Sequence, residues 1–208
     1  MEKQVRKFDS DTLLIASHNP KKLEEFSGLL WGKVENFKSA LDLGLDDVEE
    51  TGTTFVENAK LKAVAMAKES GLIALADDSG FCVEALDGRP GVYSARYAIN
   101  PETGERDFDY GIEKLHDELE ACEDRKDDAA YFVCVLALAW PDGHVETFEG
   151  CANGRVVWPP RGERGFGYDP IFEPAGMDHT FAEISFVRKQ KISHRAFALD
   201  KLIMACFE

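Results

Sequence analysis

The sequence predicts an α/β fold whose sheet is partly antiparallel. Short apolar runs alternate along the chain with segments of helical periodicity, which is the pattern of strands separated by helices. A Pro141-Asp142-Gly143 turn between two strand-like runs adds an antiparallel hairpin. Apolar residues make up 44% of the 208 residues, enough for a sizeable core, so a disordered or fibrous protein is excluded.

Each element follows from its local pattern. A short apolar run predicts a strand at residues 12–16, and a helix predicted at residues 54–69 stops at Gly71, a common residue at helix C-termini. The apolar run at 72–76 predicts a buried strand, and a further strand follows at 81–85. The remaining predicted elements, in chain order, are a helix at 21–30, a strand at 34–37, a helix at 104–122, a hairpin of 129–139 with 144–151, an extended stretch at 155–158, a loop at 159–167 and a helix at 193–207.

Acidic residues outnumber basic ones. The chain has 39 Asp and Glu against 24 Lys and Arg, which gives a formal charge of −15 at pH 7. Such a surface repels a phosphate backbone, so we do not expect binding to nucleic acid through a basic face. An anionic ligand would need a local cationic pocket or a metal ion that offsets the field.

Length and composition predict one domain over residues 1–208, with residues 1–11 as a short N-terminal extension. No run of 18 apolar residues is present, and the first ten residues lack the apolar core of a signal peptide. The five cysteines form no CxxC pair, which favours free thiols over a disulfide framework or a zinc site. We therefore expect a cytoplasmic protein without a membrane partner.

The segment Ser17-His18-Asn19-Pro20-Lys21-Lys22 predicts an anion site. Asn19 suits the N-cap of a helix and Pro20 its first position. Acids normally occupy the next positions because the helix dipole is positive there, yet this helix begins with two lysines. Exposed backbone N–H groups and lysines together favour phosphate. The alternative is a solvated lysine pair.

Carboxylates follow the predicted strand at 72–76. Asp77 and Asp78 come directly after it, where α/β folds place ligand sites, and Mg²⁺ favours one or two carboxylates combined with substrate phosphate oxygens. A carboxylate there could also orient a water molecule for attack; the alternative is a simple turn. Glu50 lies in an unassigned loop and could hold a cation, whereas Glu57 is explained by a capping box with Thr54.

Two later segments carry weaker signals. Glycines on either side of Phe166 allow a close approach of backbone to ligand while a ring stacks on a flat base, although an ordinary loop would look the same. Ser193 predicts a second helix start, and His194 and Arg195 again place positive charge where the helix dipole disfavours it. An anion or a polar ligand edge would explain that placement.

Six segments together resemble the inosine triphosphate pyrophosphatase family, whose members are noncanonical purine NTP pyrophosphatases (XTP/dITP diphosphatases). In order they are SHNPKKLEEF, EETGTTFVENAKLKA, ADDSGFCVEAL, GRPGVYSARYA, GFGYDPIF and ISHRAFAL, and they extend over residues 13–199. The resemblance implies an elongated α/β fold with two lobes around a central substrate cleft, and a homodimer. It also implies Mg²⁺-dependent cleavage of ITP, dITP and XTP to the monophosphate and pyrophosphate.

The resemblance also implies roles for individual residues. Glu50 matches the Mg²⁺-binding glutamate, Asp78 the catalytic and metal-associated aspartate, and Asp77 a supporting carboxylate. The implied phosphate-contacting loop comprises Ser17, His18, Asn19, Pro20, Lys21 and Lys22. The other implied substrate contacts are Lys62, Ser79, Phe166, Gly167, Tyr168, Asp169, Lys189, His194 and Arg195. His18 stands where many members have glycine, and Gln190 replaces a more usual asparagine.

Two other function classes remain as alternatives. A nucleotide-binding regulatory protein would keep the pocket without turnover, but it has less need of clustered carboxylates. A metal-independent hydrolase could use paired carboxylates on another substrate such as a glycoside, but lysines at a helix start argue against that substrate. Pyrophosphate release from ITP tests the first alternative, and loss of activity with a chelator tests the second.

Overall fold

The computed structural model describes residues 5–208, apart from the side chain of Lys21. Its strands are β1 (Thr12–Ile15), β2 (Asn36–Ser39), β3 (Ile73–Val83), β4 (Arg89–Pro90), β5 (Ala129–Ala139), β6 (Val145–Val156) and β7 (Phe172–Pro174). Its α-helices are α1 (Pro20–Leu29), α2 (Phe55–Ser70), α3 (Ser94–Tyr97), α4 (Phe108–Glu120), α5 (Phe186–Ile192) and α6 (His194–Cys206). Short 3-10 helices lie at Glu84–Leu86, Gly91–Tyr93 and Asp169–Ile171.

Within these residues the strands form one mixed sheet in the order β2-β1-β3-β5-β6-β7, with β4 paired to β3. Strand β1 runs parallel to both β2 and β3, whereas β4 is antiparallel to β3 and β7 is antiparallel to β6. The predicted class, an α/β fold with a mixed sheet and helices, is confirmed. None of the helices in the described residues is long and apolar enough to cross a membrane.

The chain divides into two compact units. The first comprises the chain up to Asp78 together with Val135–Glu149 and Ala198–Glu208. The second comprises Ser79–Cys134 and Gly150–Phe197. Residues 1–4 of the predicted N-terminal extension lie outside the described residues, but Phe8 stacks on Phe207 within the first unit, with ring centroids 4.8 Å apart.

Small side chains dominate the core of the first unit. Helix α2 buries Ala59, Ala63, Met66 and Ala67 against strand residues that include Leu14. Because alanine is short, the helix backbone can approach the sheet closely, and the helix positions its polar residues against the strands. The predicted capping box is present at its start: the Glu57 N–H donates to Thr54 Oγ1 over 3.2 Å, and Thr53 and Thr54 N–H groups donate to Glu57 Oε2. The helix ends at Gly71 with φ 72°.

Aromatic rings dominate the core of the second unit. Phe81 lies 4.8 Å from Phe132 and 5.3 Å from Tyr168, measured between ring centroids. Phe172 lies 4.9 Å from both Phe132 and Phe181. All five side chains are buried. Through Tyr168, this packing anchors the loop that contains Phe166 and Asp169.

Two predicted interruptions of strands are wrong. Asp77 and Asp78 do not follow a strand that ends at residue 76; they lie inside the eleven-residue strand β3, because side-chain partners satisfy them there. The stretches 144–151 and 155–158 are not separate, since β6 continues from Val145 to Val156. A Cβ at Gly154 would come within 2.2 Å of the Glu173 carbonyl oxygen, so this glycine allows close strand pairing rather than ending the strand.

Candidate active site

The predicted site residues fall into two sets, one in each unit. The first unit contains Ser17, His18, Asn19, Pro20, Lys22, Glu50, Lys62 and Asp78. The second contains Ser79, Phe166, Gly167, Tyr168, Asp169, Lys189, His194 and Arg195. The predicted phosphate contact of Lys21 concerns a side chain that lies outside the described part of the structure.

Three acidic side chains of the first unit, Glu50, Asp77 and Asp78, form what we call the carboxylate cluster. Asp77 is only 2% exposed, and Lys22 Nζ donates a hydrogen bond to its Oδ1 over 2.7 Å. Strand β1 lies beside β3 and leads directly into α1, so the first turn of α1 brings Lys22 to Asp77. A lysine that the sequence left as either solvated or ligand-binding is therefore tied to a buried carboxylate.

Asp78 is buried beside Asn58. Asn58 Nδ2 donates to Asp78 Oδ2 over 3.1 Å, while Asn58 Oδ1 accepts from the Gly52 N–H over 2.8 Å. Burial raises the pKa of Asp78 to about 6; Lys62 opposes the rise, and Glu50 adds to it. A carboxyl group with this pKa is mostly ionised at neutral pH and is more basic than an exposed aspartate.

Lys62 lies among the three carboxylates. Its Nζ donates to Glu50 Oε1 over 2.5 Å, and the lysine side chain is 11% exposed. Burial lowers the pKa of Lys62 and is the largest single influence, but the charges of Asp77, Asp78 and Glu50 outweigh it, so the pKa lies above its ordinary value. Lys62 is thus a buried ammonium that offsets part of the negative charge of the cluster.

The carboxylate cluster fits a hard divalent cation. Its donors are oxygen atoms, which Mg²⁺ prefers, and a cation would offset both the burial of the Asp78 charge, which is the main cause of its raised pKa, and the smaller repulsion from Glu50 and Asp77. In the described part of the chain, no three His, Cys, Asp or Glu side chains are gathered into a complete metal site. Proteins usually bind Mg²⁺ through one or two carboxylates, and substrate phosphates supply further ligands.

The loop at residues 17–22, which we call the phosphate loop, has a defined shape. Ser17 Oγ accepts from the Asn19 N–H over 3.1 Å, and the Asn19 carbonyl accepts from the Lys22 N–H over 3.0 Å. Pro20 is the first residue of α1, as predicted. The His18 side chain bonds the Leu45 carbonyl, with Nε2 and O 2.8 Å apart.

In the second unit, Asp169 holds the loop that contains Phe166 and Tyr168. Its Oδ2 accepts from the Phe166 N–H over 2.9 Å and forms an ion pair with Lys189 Nζ. Gly165 has φ 75°, and a Cβ there would come within 2.0 Å of Asp169 Oδ2, so both conformation and space require glycine. Lys189 Nζ also lies 5.0 Å from the centroid of the Phe166 ring, which is 58% exposed.

The neighbouring Tyr168 has a different environment from Phe166. The Tyr168 side chain is 2% exposed, and its hydroxyl donates to the Ser94 carbonyl over 2.9 Å. Burial raises the pKa of Tyr168 well above its ordinary value. Its ring therefore belongs to the core, and of the two aromatic rings only that of Phe166 is exposed.

The start of α6 is buried. Ser193 Oγ accepts from the Ala196 N–H over 3.2 Å, which supports the predicted helix start. His194 and Arg195 are each 5% exposed, and the His194 ring stacks on Phe132 with centroids 4.9 Å apart. The charge of Arg195 at this helix start is therefore buried rather than spread over a solvated surface.

Sequence reasoning missed Asn58. This side chain is fully buried and joins Asp78 to the backbone of Gly52. A signal was present, because Asn58 and Lys62 are four residues apart on a helix whose buried side is otherwise made of alanine and methionine. Polar side chains on an apolar helix face need partners, which the adjacent Asp77-Asp78 pair could supply.

Carboxylates beside helix-borne lysines on an α/β frame are typical of enzymes that act on phosphorylated substrates. The model of the Ham1 family matches residues 13–205. The chain is 55% identical to the dITP/XTP pyrophosphatase of Rhodospirillum centenum, over 97% of this chain and 98% of that protein. It is 53% identical to the dITP/XTP pyrophosphatase of Ruegeria pomeroyi, over 98% of each chain.

Solved structures agree with this result. A HAM1 protein from Coxiella burnetii is 41% identical and superposes with a TM-score of 0.85, over 94% of this chain and 98% of that one. The Staphylococcus aureus Ham1 protein is 40% identical with a TM-score of 0.81, over 92% of this chain and 95% of that one. The chain belongs to the Ham1 family, and the family predicted from six sequence segments is confirmed.

Proposed function

We propose that this protein is a nucleoside triphosphate pyrophosphatase that hydrolyses ITP, dITP and XTP to the monophosphate and pyrophosphate. The observation that carries the proposal is the carboxylate cluster: two buried aspartates and Glu50 around Lys62, with Lys22 bonded to Asp77. A site of this kind positions phosphates and handles their charge. The names of the two bacterial relatives, both dITP/XTP pyrophosphatases, support the same substrate class.

Asp78 is the proposed general base. In the metal-free protein burial raises its pKa to about 6, so the carboxylate is mostly ionised at neutral pH and can accept a proton from an attacking water molecule. Asn58 holds one carboxylate oxygen by a 3.1 Å hydrogen bond. Lys22 and Lys62 are proposed to bind phosphate oxygens, since each ends in an ammonium group near the cluster.

Mg²⁺ is the proposed cofactor, with Glu50 and Asp78 as its protein ligands. When bound, it would neutralise charge on the phosphates and polarise the bond that is cleaved. The protein side chains position one another: Asp77 bonds and positions Lys22, and Lys62 bonds Glu50.

The second set of residues is proposed to recognise the base. The exposed Phe166 ring offers a stacking surface, and Lys189, His194 and Arg195 are candidate donors to the 6-oxo group that hypoxanthine and xanthine share. A pocket built to donate to this oxygen would leave polar groups unmatched against the 6-amino group of adenine, which can reduce activity by a factor of about 10⁴. Protection of DNA and RNA from such nucleotides, a cytoplasmic location and a homodimer belong to the same proposal.

The test is a panel of ITP, dITP, XTP, ATP and GTP, assayed separately for pyrophosphate and orthophosphate, with and without Mg²⁺. We expect rapid pyrophosphate release from the first three substrates only, and loss of activity with a chelator. Comparable rates on ATP, or orthophosphate as the first product, would contradict the proposal. Tight binding of ITP without turnover would favour the regulatory alternative.

A further inference from the structure

His18 connects two parts of the first unit that are distant in sequence. Its Nε2 lies 2.8 Å from the Leu45 carbonyl oxygen, and its Nδ1 lies 3.5 Å from Asp47 Oδ1. A carbonyl can only accept, so Nε2 carries the hydrogen and donates it. The Nδ1 contact is an ion pair when the ring carries both protons.

Leu45 and Asp47 belong to residues 41–50, which we call the acidic segment. The segment is held near its start, where the Ser39 N–H donates to Asp42 Oδ2 over 2.7 Å, and the chain just after it is held where the Gly52 N–H donates to Asn58 Oδ1 over 2.8 Å. Between these points the segment has no helix or strand, and it ends at Glu50. Its middle is fixed partly by packing of Leu45 and Val48 against the core, and the bond to His18 adds to this and so helps to fix the position of Glu50.

His18 itself lies in the phosphate loop, four residues before Lys22. Its backbone is therefore part of the turn that starts α1, while its side chain bonds the acidic segment. A glycine, which the family resemblance places at this position in many members, offers no side chain for either contact. Of the two ring nitrogens only Nε2 makes a hydrogen bond, since Nδ1, 3.5 Å from the Asp47 carboxylate, has no hydrogen-bond partner among the described residues.

We propose that His18 is a positioning residue that joins the phosphate loop to the acidic segment, so that Lys22 and Glu50 are held in place before the substrate binds. The inference rests on the proposed function for its kinetic consequence, but the contact itself does not depend on it. A group held in advance costs less ordering when the ligand arrives. The Nε2 hydrogen is engaged by the Leu45 carbonyl, which distinguishes this role from direct phosphate binding by the ring.

The first experiment measures hydrogen exchange of the acidic segment in ligand-free protein. The variants are His18→Ala, which removes both contacts, and His18→Gln, whose amide nitrogen can still donate to the Leu45 carbonyl. Asp46→Asn is the control, because Asp46 is exposed on the same segment. We expect exchange around Leu45 to become about 5-fold faster in His18→Ala, the factor expected for one ordinary hydrogen bond, and to stay near wild type in His18→Gln and the control.

The second experiment measures dITP hydrolysis against Mg²⁺ concentration. His18→Ala should raise the half-saturating Mg²⁺ concentration by a similar factor of about 5, while kcat at saturating Mg²⁺ changes little, and His18→Gln should restore most of the loss. Unchanged exchange in His18→Ala, or a His18→Gln variant that behaves like His18→Ala, would overturn the proposal. If wild-type protein does not hydrolyse dITP, the proposed function fails, and faster exchange in His18→Ala still supports the contact.

Discussion

Replacing Asp78 by Asn should lower activity and raise stability at the same time. Asn has nearly the same shape and can still accept the hydrogen bond from Asn58 Nδ2, so the fold should be kept. It cannot take a proton from water, and it removes one charge from the proposed metal site. General-base catalysis alone contributes about 10²- to 10⁴-fold, so we expect kcat to fall at least about 100-fold.

The gain in stability follows from the raised pKa of Asp78. In the unfolded chain the carboxyl ionises near the ordinary 3.8, and in the folded protein, because of burial, near 6. Between these values the folded state binds more protons than the unfolded state, so stability falls as pH rises through this range. The difference of about two pKa units corresponds to about 3 kcal/mol lost by neutral pH in the ligand-free protein, and Asn, which does not ionise, avoids this loss.

The assay is urea unfolding of both proteins from pH 4 to pH 8 in EDTA, combined with kcat at saturating Mg²⁺. We expect Asp78→Asn to be more stable at pH 8, by up to about 3 kcal/mol, and the difference to shrink as pH falls toward 4. A variant that is less stable than wild type at pH 8 would refute the electrostatic reasoning. A folded variant with near-wild-type kcat would refute the catalytic role and make Asp77 the next candidate.

Two further variants test other contacts of the site. Lys22→Ala should raise KM for dITP about 10- to 100-fold, because a charge-assisted phosphate contact contributes roughly 1.5–3 kcal/mol. The double variant with Asp77→Asn is the control, because it removes the charge of the buried carboxylate that loses its lysine. An unchanged KM would mean that Lys22 only pairs with Asp77 and does not bind phosphate. Gly165→Ala should raise KM by displacing Asp169 and with it Phe166, since its Cβ would come within 2.0 Å of Asp169 Oδ2. Gly143→Ala, also at positive φ but in the hairpin turn, is its control, and equal effects of both on KM would contradict the argument.

Local patterns in the sequence were sufficient where a structure is determined by neighbouring residues. The helix at 54–69 was predictable because Thr54, Glu57 and Gly71 are capping residues, whose contacts lie within one turn of the helix ends. The continuous strand β3 was not predictable, because the aspartates inside it are stabilised by Lys22 and Asn58 from two helices. Strand propensity predicts that β3 ends at the two aspartates, but hydrogen bonds from distant parts of the chain stabilise these residues inside the strand.

The candidate site shows the same limit. Six segments were enough to identify the family, and the residue types of the cluster indicated phosphate chemistry. The hydrogen bonds within the cluster could not be predicted, since nothing in the spacing of Glu50 and Lys62 along the sequence shows that the two side chains are in contact. The contact of His18 with Leu45 was equally unpredictable, because every residue has a backbone carbonyl and the sequence does not show which one accepts a hydrogen bond.

The pairing of lysines with carboxylates explains how a chain of formal charge −15 could hold a triphosphate without large unpaired positive charges. Lys22 bonds Asp77, Lys62 bonds Glu50, and Lys189 bonds Asp169, so each of these lysines has an acidic partner before any ligand binds. Because an isolated buried ammonium would be costly, the carboxylates keep the lysines charged and in place. Under the proposed function, Glu50 would hold the cation when a metal-bound nucleotide binds, and Lys62 and Lys22 would donate to phosphate oxygens. Such a site would favour a ligand that supplies both charges together over a free anion, because a free anion would leave the carboxylates without a cation.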